Sequence, residues 1–205
     1  MWLRSGSRSH LFLPLFAMKK SELRKRALTT RRSLDQEVKN QLNKALLTQF
    51  STLNFSGVKV LHVFLPIEEQ VEPDTFLLIS WLKENHPSIK ILVPRANFET
   101  ALMTHHEWTA LEDLEKSAFN ILEPRSENAY QGDIDLVVVP LLAFDLLGFR
   151  VGYGKGFYDR FLTDSWARKV GISFFGPVDK ISDIDVLDIR LDLCITPDQI
   201  YYFNL

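Results

Sequence analysis

The run DLVVVPLLAFD, residues 135–145, constrains the fold more than any other stretch of the chain. It is apolar at consecutive rather than alternate positions, so a strand built from it needs cover on both faces. Such a strand belongs at the centre of a parallel or mixed sheet, with helices packed above and below. The remaining sequence supplies those parts. KVLHVFL (59–65), KILVPRA (90–96), ALMTHHEW (101–108), KVGISFF (169–175) and DLCIT (192–196) read as further strands. Pro73 stands where a helix begins, and TFLLISWLKEN carries that helix to about Asn85. An amphipathic segment runs from about Gly156 through Trp166. Upstream, Leu23, Ala27, Leu34, Val38, Leu42 and Leu46 recur at helical spacing. Ser33 followed by Gln36 resembles a capping box, which divides this stretch into two helices near Arg32. The expected architecture is one α/β domain with a mostly parallel or mixed sheet and an N-terminal helical pair.

Length and composition agree with a single soluble globular unit: 205 residues, 46% hydrophobic and 24% charged. A formal net charge of -2 gives no general attraction to nucleic acid or to an anionic membrane, and neither partner is expected. The single cysteine, Cys194, rules out an internal disulfide and a cysteine zinc site, which suits a reducing cytoplasm. Its setting in LDLCIT makes it a small core hydrophobe. Residues 1–17 combine Arg4 and Arg8 with a short apolar run broken by Pro14. That run lacks a small-x-small cleavage site and is far shorter than the ~20 residues of a membrane span. Residues 1–17 are therefore expected to be an extension outside the fold, with Met1 and Met18 both open as starts, and the domain to span residues 18–205. A monomer is expected.

The glycine-rich stretch RVGYGKGFYDR, 150–160, follows the central run and opens a helix. Ligands of open α/β sheets bind beyond the carboxyl ends of the strands, and a helix start offers free N–H groups to an anion. Glycines at 152, 154 and 156 let the backbone approach oxygen atoms closely. Arg150 and Lys155 add formal positive charge, and Asp159 follows in the first helical turn. The pattern fits neither G-x-x-x-x-G-K-[ST] nor G-x-G-x-x-G, so on spacing alone it reads as a phosphate loop or as a tight turn.

RVGYGKGFYDR strongly resembles the signature of 5-formyltetrahydrofolate cyclo-ligases, approximately R-L-G-x-G-x-G-[YF]-Y-D-R, with Val151 and Phe157 as mild departures. Further elements recur in order: Lys20 and Arg24, Glu72 and Thr75, Pro94 and Arg95, then Asp188, Asp192 and Thr196. The resemblance covers about Met18 to the C-terminus. It implies a three-layer, Rossmann-like α/β domain in folate one-carbon metabolism, converting 5-formyltetrahydrofolate and MgATP to 5,10-methenyltetrahydrofolate, ADP and phosphate. It implies ATP contacts from Lys20, Arg24, Arg150, Gly152, Tyr153, Gly154, Lys155, Gly156, Phe157 and Tyr158, with Arg150 and Lys155 catalytic. It implies folate contacts from Glu72, Phe98, Met103, Phe119, Tyr153 and Phe157, and Mg2+ on Asp159 and Asp188. Phe119 and Ala96 differ from larger aromatics found in some relatives.

The residues suit that chemistry, because phosphoryl transfer asks for positioning and charge stabilisation rather than a protein nucleophile. No Ser/His or Cys/His constellation is evident. His105 and His106 are adjacent on an expected strand, so they face opposite ways and cannot share a metal. His62 in mid-strand and His86 at a helix end read as structural. Two other functions stay open: a relative acting on another formamide, and a nucleic-acid module built on the basic N-terminal helix. Steep salt dependence of binding would mark the latter.

Overall fold

The computed structural model describes residues 17–117 and 121–203. The chain enters as β1 (Ala17–Met18) and forms α1 (Lys20–Arg32) and α2 (Gln36–Phe50). β2 (Val60–Val63) leads through a 3-10 turn to α3 (Thr75–Asn85), β3 (Lys90–Asn97) and β4 (Leu102–Glu107). A small antiparallel pair, β5 (Leu114–Lys116) with β6 (Leu122–Pro124), precedes β7 (Leu136–Pro140). A hairpin of β8 (Ala143–Phe144) and β9 (Arg150–Val151) leads to α4 (Phe157–Leu162). Then come β10 (Arg168–Ile172), β11 (Lys180–Ile181), β12 (Leu193–Ile195) and β13 (Ile200–Tyr202).

Seven strands form the central sheet in the order β13-β12-β10-β7-β2-β3-β4. The inner five run parallel, and β13 and β4 flank them antiparallel. Alternation sorts side chains between the two faces. Leu61, Val63, Ile91, Val93, Leu136 and Val138 pack on one side with Leu46 and Phe50 of α2 and Leu78, Ile79 and Leu82 of α3. Val137, Val139 and Cys194 pack on the other with Leu162 of α4. Cys194 is fully buried, and burial raises its thiol well above the usual range, so it is the core residue expected. Leu23 of α1 joins Ala143, Val151 and Ile181 in a third cluster beside the β8–β9 hairpin. This is the three-layer α/β arrangement anticipated, with its helical pair in front. No helix among the described residues is long and apolar enough to cross a membrane.

Three local expectations need correction. The strand expected across 135–145 stops at Pro140, and the chain turns so that Ala143 pairs with Val151. The apolar run continues because Leu141, Leu142 and Phe144 are buried in the hairpin region rather than in the sheet. Asp145, also buried, accepts hydrogen bonds from the backbone N–H groups of Leu147 and Phe149, and Gly148 reverses the chain at φ +84°. The second correction concerns α4, which spans six residues and ends at Leu162, leaving Trp166 fully exposed. Thr163, Asp164 and Ser165 follow it, residue types whose side chains compete with helical hydrogen bonding. Thirdly, the cap of α2 is Asp35, which accepts from Val38 N at 2.8 Å, while Ser33 closes the carboxyl end of α1.

Candidate active site

From β2 the chain proceeds outward to β3, whereas from β7 it proceeds the opposite way to β10 and β12. The crevice beyond the carboxyl ends of β2 and β7 is thus the topological switch point, the position where open α/β sheets bind ligands. A cavity of about 230 Å³ opens there, walled by Phe64 and Leu65 after β2, Pro140 at the end of β7, and the segment from Arg150 to Asp159. Lys20, Arg24, Glu72, Phe98, Met103 and Asp188 complete it. Every candidate named from the sequence lines this one cavity except Phe119, which lies outside the described residues.

The three glycines differ in what they require. Gly154 and Gly156 hold φ +90° and +69°, which side-chain-bearing residues rarely adopt. A Cβ on Gly154 would also stand 3.3 Å from the guanidinium carbon of Arg24. Gly152 has neither constraint, since a Cβ there would meet nothing within 4 Å. Its bareness leaves open space in the cavity wall. Arg24 of α1 reaches across the loop and donates from Nε to Gly152 O at 2.8 Å.

The charges neutralise one another across elements. Arg150 is 7% exposed and donates from Nη2 to Asp159 Oδ1 at 2.8 Å, and from Nη1 to Ile189 O. Burial lowers its pKa, while Asp159 and Asp188 both act to raise it. Lys20 Nζ pairs with Asp188 Oδ2, which also accepts from Asp185 N at 2.6 Å. Lys155 is exposed in the same wall. Asp159 and Asp188 therefore face one charged centre from α4 and from the loop before β12.

At the other end, Glu72 is half-buried ahead of α3. It caps no helix; that role belongs to Asp74, which accepts from Phe76 N at 3.1 Å. Glu72 instead accepts from Tyr153 Oη at 2.7 Å and from Ile67 N at 2.8 Å. Burial raises its carboxyl pKa, opposed by those two hydrogen bonds and by Arg31. Tyr153 is raised too, by burial first and by the neighbouring carboxylate. Phe98 and Phe157 meet edge to face at 5.3 Å, forming an apolar wall with Met103. The hydroxyl of Tyr158 is buried with no hydrogen-bond partner among the described residues.

Sequence reading missed two contributors. Arg31 sits 1% exposed beneath the loop, hydrogen-bonded to Tyr153 Oη. It follows Leu23 and Ala27 at intervals of four, so helical periodicity does mark it as inward-facing. Arg160 donates from Nε to Ala101 O at 2.8 Å and also bonds Lys155 O, tying the β3–β4 turn to the glycine loop. Among the described residues no group of three or more His, Cys, Asp or Glu side chains could hold a metal. His105 packs on His62 at 5.0 Å and Phe161 at 4.1 Å, whereas His106 turns to Thr104 Oγ1. His86 packs against Phe55 and Trp81 at the end of α3.

The fold and the cavity define a Rossmann-like α/β protein with a charged cavity at its switch point. Comparison with known proteins narrows that class. The profile of the 5-formyltetrahydrofolate cyclo-ligase family matches residues 17–187, and the chain belongs to that enzyme family. It is 32% identical over 190 residues to the 5-formyltetrahydrofolate cyclo-ligase of Mycolicibacterium smegmatis, covering 88% of this chain and 94% of the other. The Mycoplasma pneumoniae cyclo-ligase is 28% identical, covering 88% of this chain and 100% of its own. Among solved structures, 5,10-methenyltetrahydrofolate synthetase from Aquifex aeolicus superimposes with a TM-score of 0.76 at 28% identity, covering 92% of this chain and 94% of that one. The Mycoplasma pneumoniae 5,10-methenyltetrahydrofolate synthetase gives 0.65 at 25% identity, with 87% and 98% covered.

Proposed function

We propose that this enzyme cyclises 5-formyltetrahydrofolate to 5,10-methenyltetrahydrofolate, consuming MgATP and releasing ADP and phosphate. The observation that carries this reading is the single cavity joining a glycine-lined, cation-rich end to a carboxylate and aromatic end. A formamide is a poor electrophile and its oxygen a poor leaving group, so activation by phosphate is the chemistry such a pair of ends serves. The formyl oxygen attacks the γ-phosphorus and ADP leaves. N10 then attacks the formyl carbon, the phosphorylated oxygen departs as inorganic phosphate, and the N10 proton is released.

The chain's own residues divide that work. The open space beside Gly152 suits phosphate oxygens approaching the backbone. Lys20, Arg24 and Lys155 surround that space, and stabilisation of the transferring phosphoryl group falls chiefly to Lys155, whose exposed chain can follow it. Arg150 acts from within the wall, adding charge and fixing Asp159. Glu72, steadied by Tyr153 and Ile67, keeps acceptor capacity for the N–H donors of a reduced pterin. Phe98, Phe157 and Met103 would flank its ring, and the unpartnered Tyr158 hydroxyl offers a donor. Asp159 and Asp188 fit Mg2+, which takes one or two protein carboxylates and completes its shell with water and phosphate oxygens. Bound there, the ion would offset phosphate charge.

The test is an assay of the purified chain with 5-formyltetrahydrofolate, ATP and magnesium, following methenyl absorbance in the near ultraviolet and omitting each component in turn. Product should require all three. Lys155→Ala and Asp159→Asn should each lose at least a hundredfold in kcat while keeping the fold by circular dichroism. Nucleotide binding without product from the complete mixture would redirect the search to other formamides.

A further inference from the structure

We propose that Arg31, which touches neither end of the cavity directly, is a positioning residue that keeps Glu72 ionised and aimed at the substrate through the hydroxyl of Tyr153. This rests on the cyclo-ligase reading, and it adds a third member to the substrate-facing pair.

The geometry is a relay across three segments. Arg31, in the last turn of α1, donates from Nη1 to Tyr153 Oη at 3.3 Å, and Tyr153 donates onward to Glu72 Oε1 at 2.7 Å. The hydroxyl has one proton, so accepting from the guanidinium commits that proton to the carboxylate. The opposite charges thus lie within about 6 Å of each other, separated by a neutral hydroxyl. The other guanidinium contact is Leu141 O, a neutral acceptor.

Packing does not account for this arginine. It is 1% exposed, forms no direct ion pair among the described residues, and leaves Nε buried without an acceptor. A buried cation with only neutral partners is costly for stability, so its placement serves something else. What it serves is at the far end of the relay. Burial favours the neutral form of Glu72, in which one oxygen would carry a proton and lose acceptor capacity for a pterin N–H. The hydrogen bonds from Ile67 N and Tyr153 oppose this first, and Arg31 is the cation that stands behind the Tyr153 bond. The other titratable groups around Glu72 are Tyr158 from α4, neutral when protonated, and the exposed Glu68 and Glu69 in the preceding turn.

Three variants of the full chain test the relay: Arg31→Met removes the charge, Arg31→Lys retains it, and Tyr153→Phe breaks the link while leaving both charges. The first readout needs no folate. In protein labelled with carboxyl-13C glutamate, with the Glu72 resonance assigned by Glu72→Gln, the Glu72 titration midpoint should rise in Arg31→Met. It should rise at least as much in Tyr153→Phe, which also loses the hydrogen bond to the carboxylate, and stay near wild type in Arg31→Lys. The second readout is steady-state kinetics. KM for 5-formyltetrahydrofolate should rise at least tenfold in Arg31→Met and worsen as pH falls, with KM for MgATP changed less than threefold. An unmoved midpoint in Arg31→Met, or in Tyr153→Phe where the arginine variants do not fold, overturns the relay. So does an equal rise in both KM values at every pH. Absence of turnover in wild-type protein would overturn the cyclo-ligase reading instead, and the titration would still decide the relay.

Discussion

Gly152, Gly154 and Gly156 carry the same side chain for different reasons, and that difference is measurable. At Gly154 the backbone angle of φ +90° excludes other residues on conformational grounds. Alanine there should cost about 1–2 kcal/mol of stability before any ligand is considered. At Gly152 a methyl group meets nothing within 4 Å, so Gly152→Ala should unfold at the wild-type urea concentration. The same substitution should weaken MgATP binding at least tenfold by titration calorimetry, since the methyl would occupy the space offered to phosphate. The signature made the three positions conspicuous in the sequence but could not separate them, because the distinction lies in torsion angles and in what stands opposite each Cα. Arg31 was obscured for a related reason. In KRALTTRR it is one cation among several that do face water, and only its register with Leu23 and Ala27 sets it apart.

The elements read most readily from the sequence were the inner parallel strands, whose apolar runs are continuous because both faces are covered. The β8–β9 hairpin was hidden by the same property, since Leu141, Leu142 and Phe144 extend the apolar run past Pro140 into a separate element. Burial has another consequence where the side chains of His62 on β2 and His105 on β4 meet across β3. His62 is fully buried, with its pKa well below the usual value, and burial takes His105 down to about 4. In the unfolded chain both titrate near 6.5. Because the folded pKa values are the lower ones, the unfolded state binds more protons as pH falls below that point. Stability should therefore be fully present above about pH 6.5 and decline towards pH 4, by at most about 1.4 kcal/mol per pH unit for each histidine. Urea midpoints at pH 7 and pH 5 check this, and His105→Phe should show the smaller drop.

Across the whole molecule, the cavity collects side chains from α1, the segment before α3, the β3–β4 turn, the glycine loop, α4 and the loop before β12. A ligand that touches so many segments stabilises them together. MgATP at a hundred times its dissociation constant should add about 2.7 kcal/mol, a rise in Tm of roughly 5–10 °C for a chain of this length. ATP without magnesium should give less than half that shift by calorimetry, because Lys20 and Arg150 are already engaged by Asp188 and Asp159. On the proposed reading, magnesium would give those carboxylates another partner and leave the lysine and arginine to phosphate.

The clasp that brings α1 to the cavity has a consequence for how the enzyme comes into being. Met18 pairs with Ile181, the Lys20 amide donates to Asp183 at 2.7 Å, and its ammonium meets Asp188, 168 positions along the chain. A ribosome delivers α1 among the first described elements, yet the acceptors of Arg31, Arg24 and Lys20 lie 110, 128 and 168 positions further along. Until they emerge, those side chains lack the acceptors that hold the helix against the cavity. The α1 wall of the cavity is therefore fastened in steps, and a nascent chain halted before Asp188 has emerged would lack the last of its fastenings.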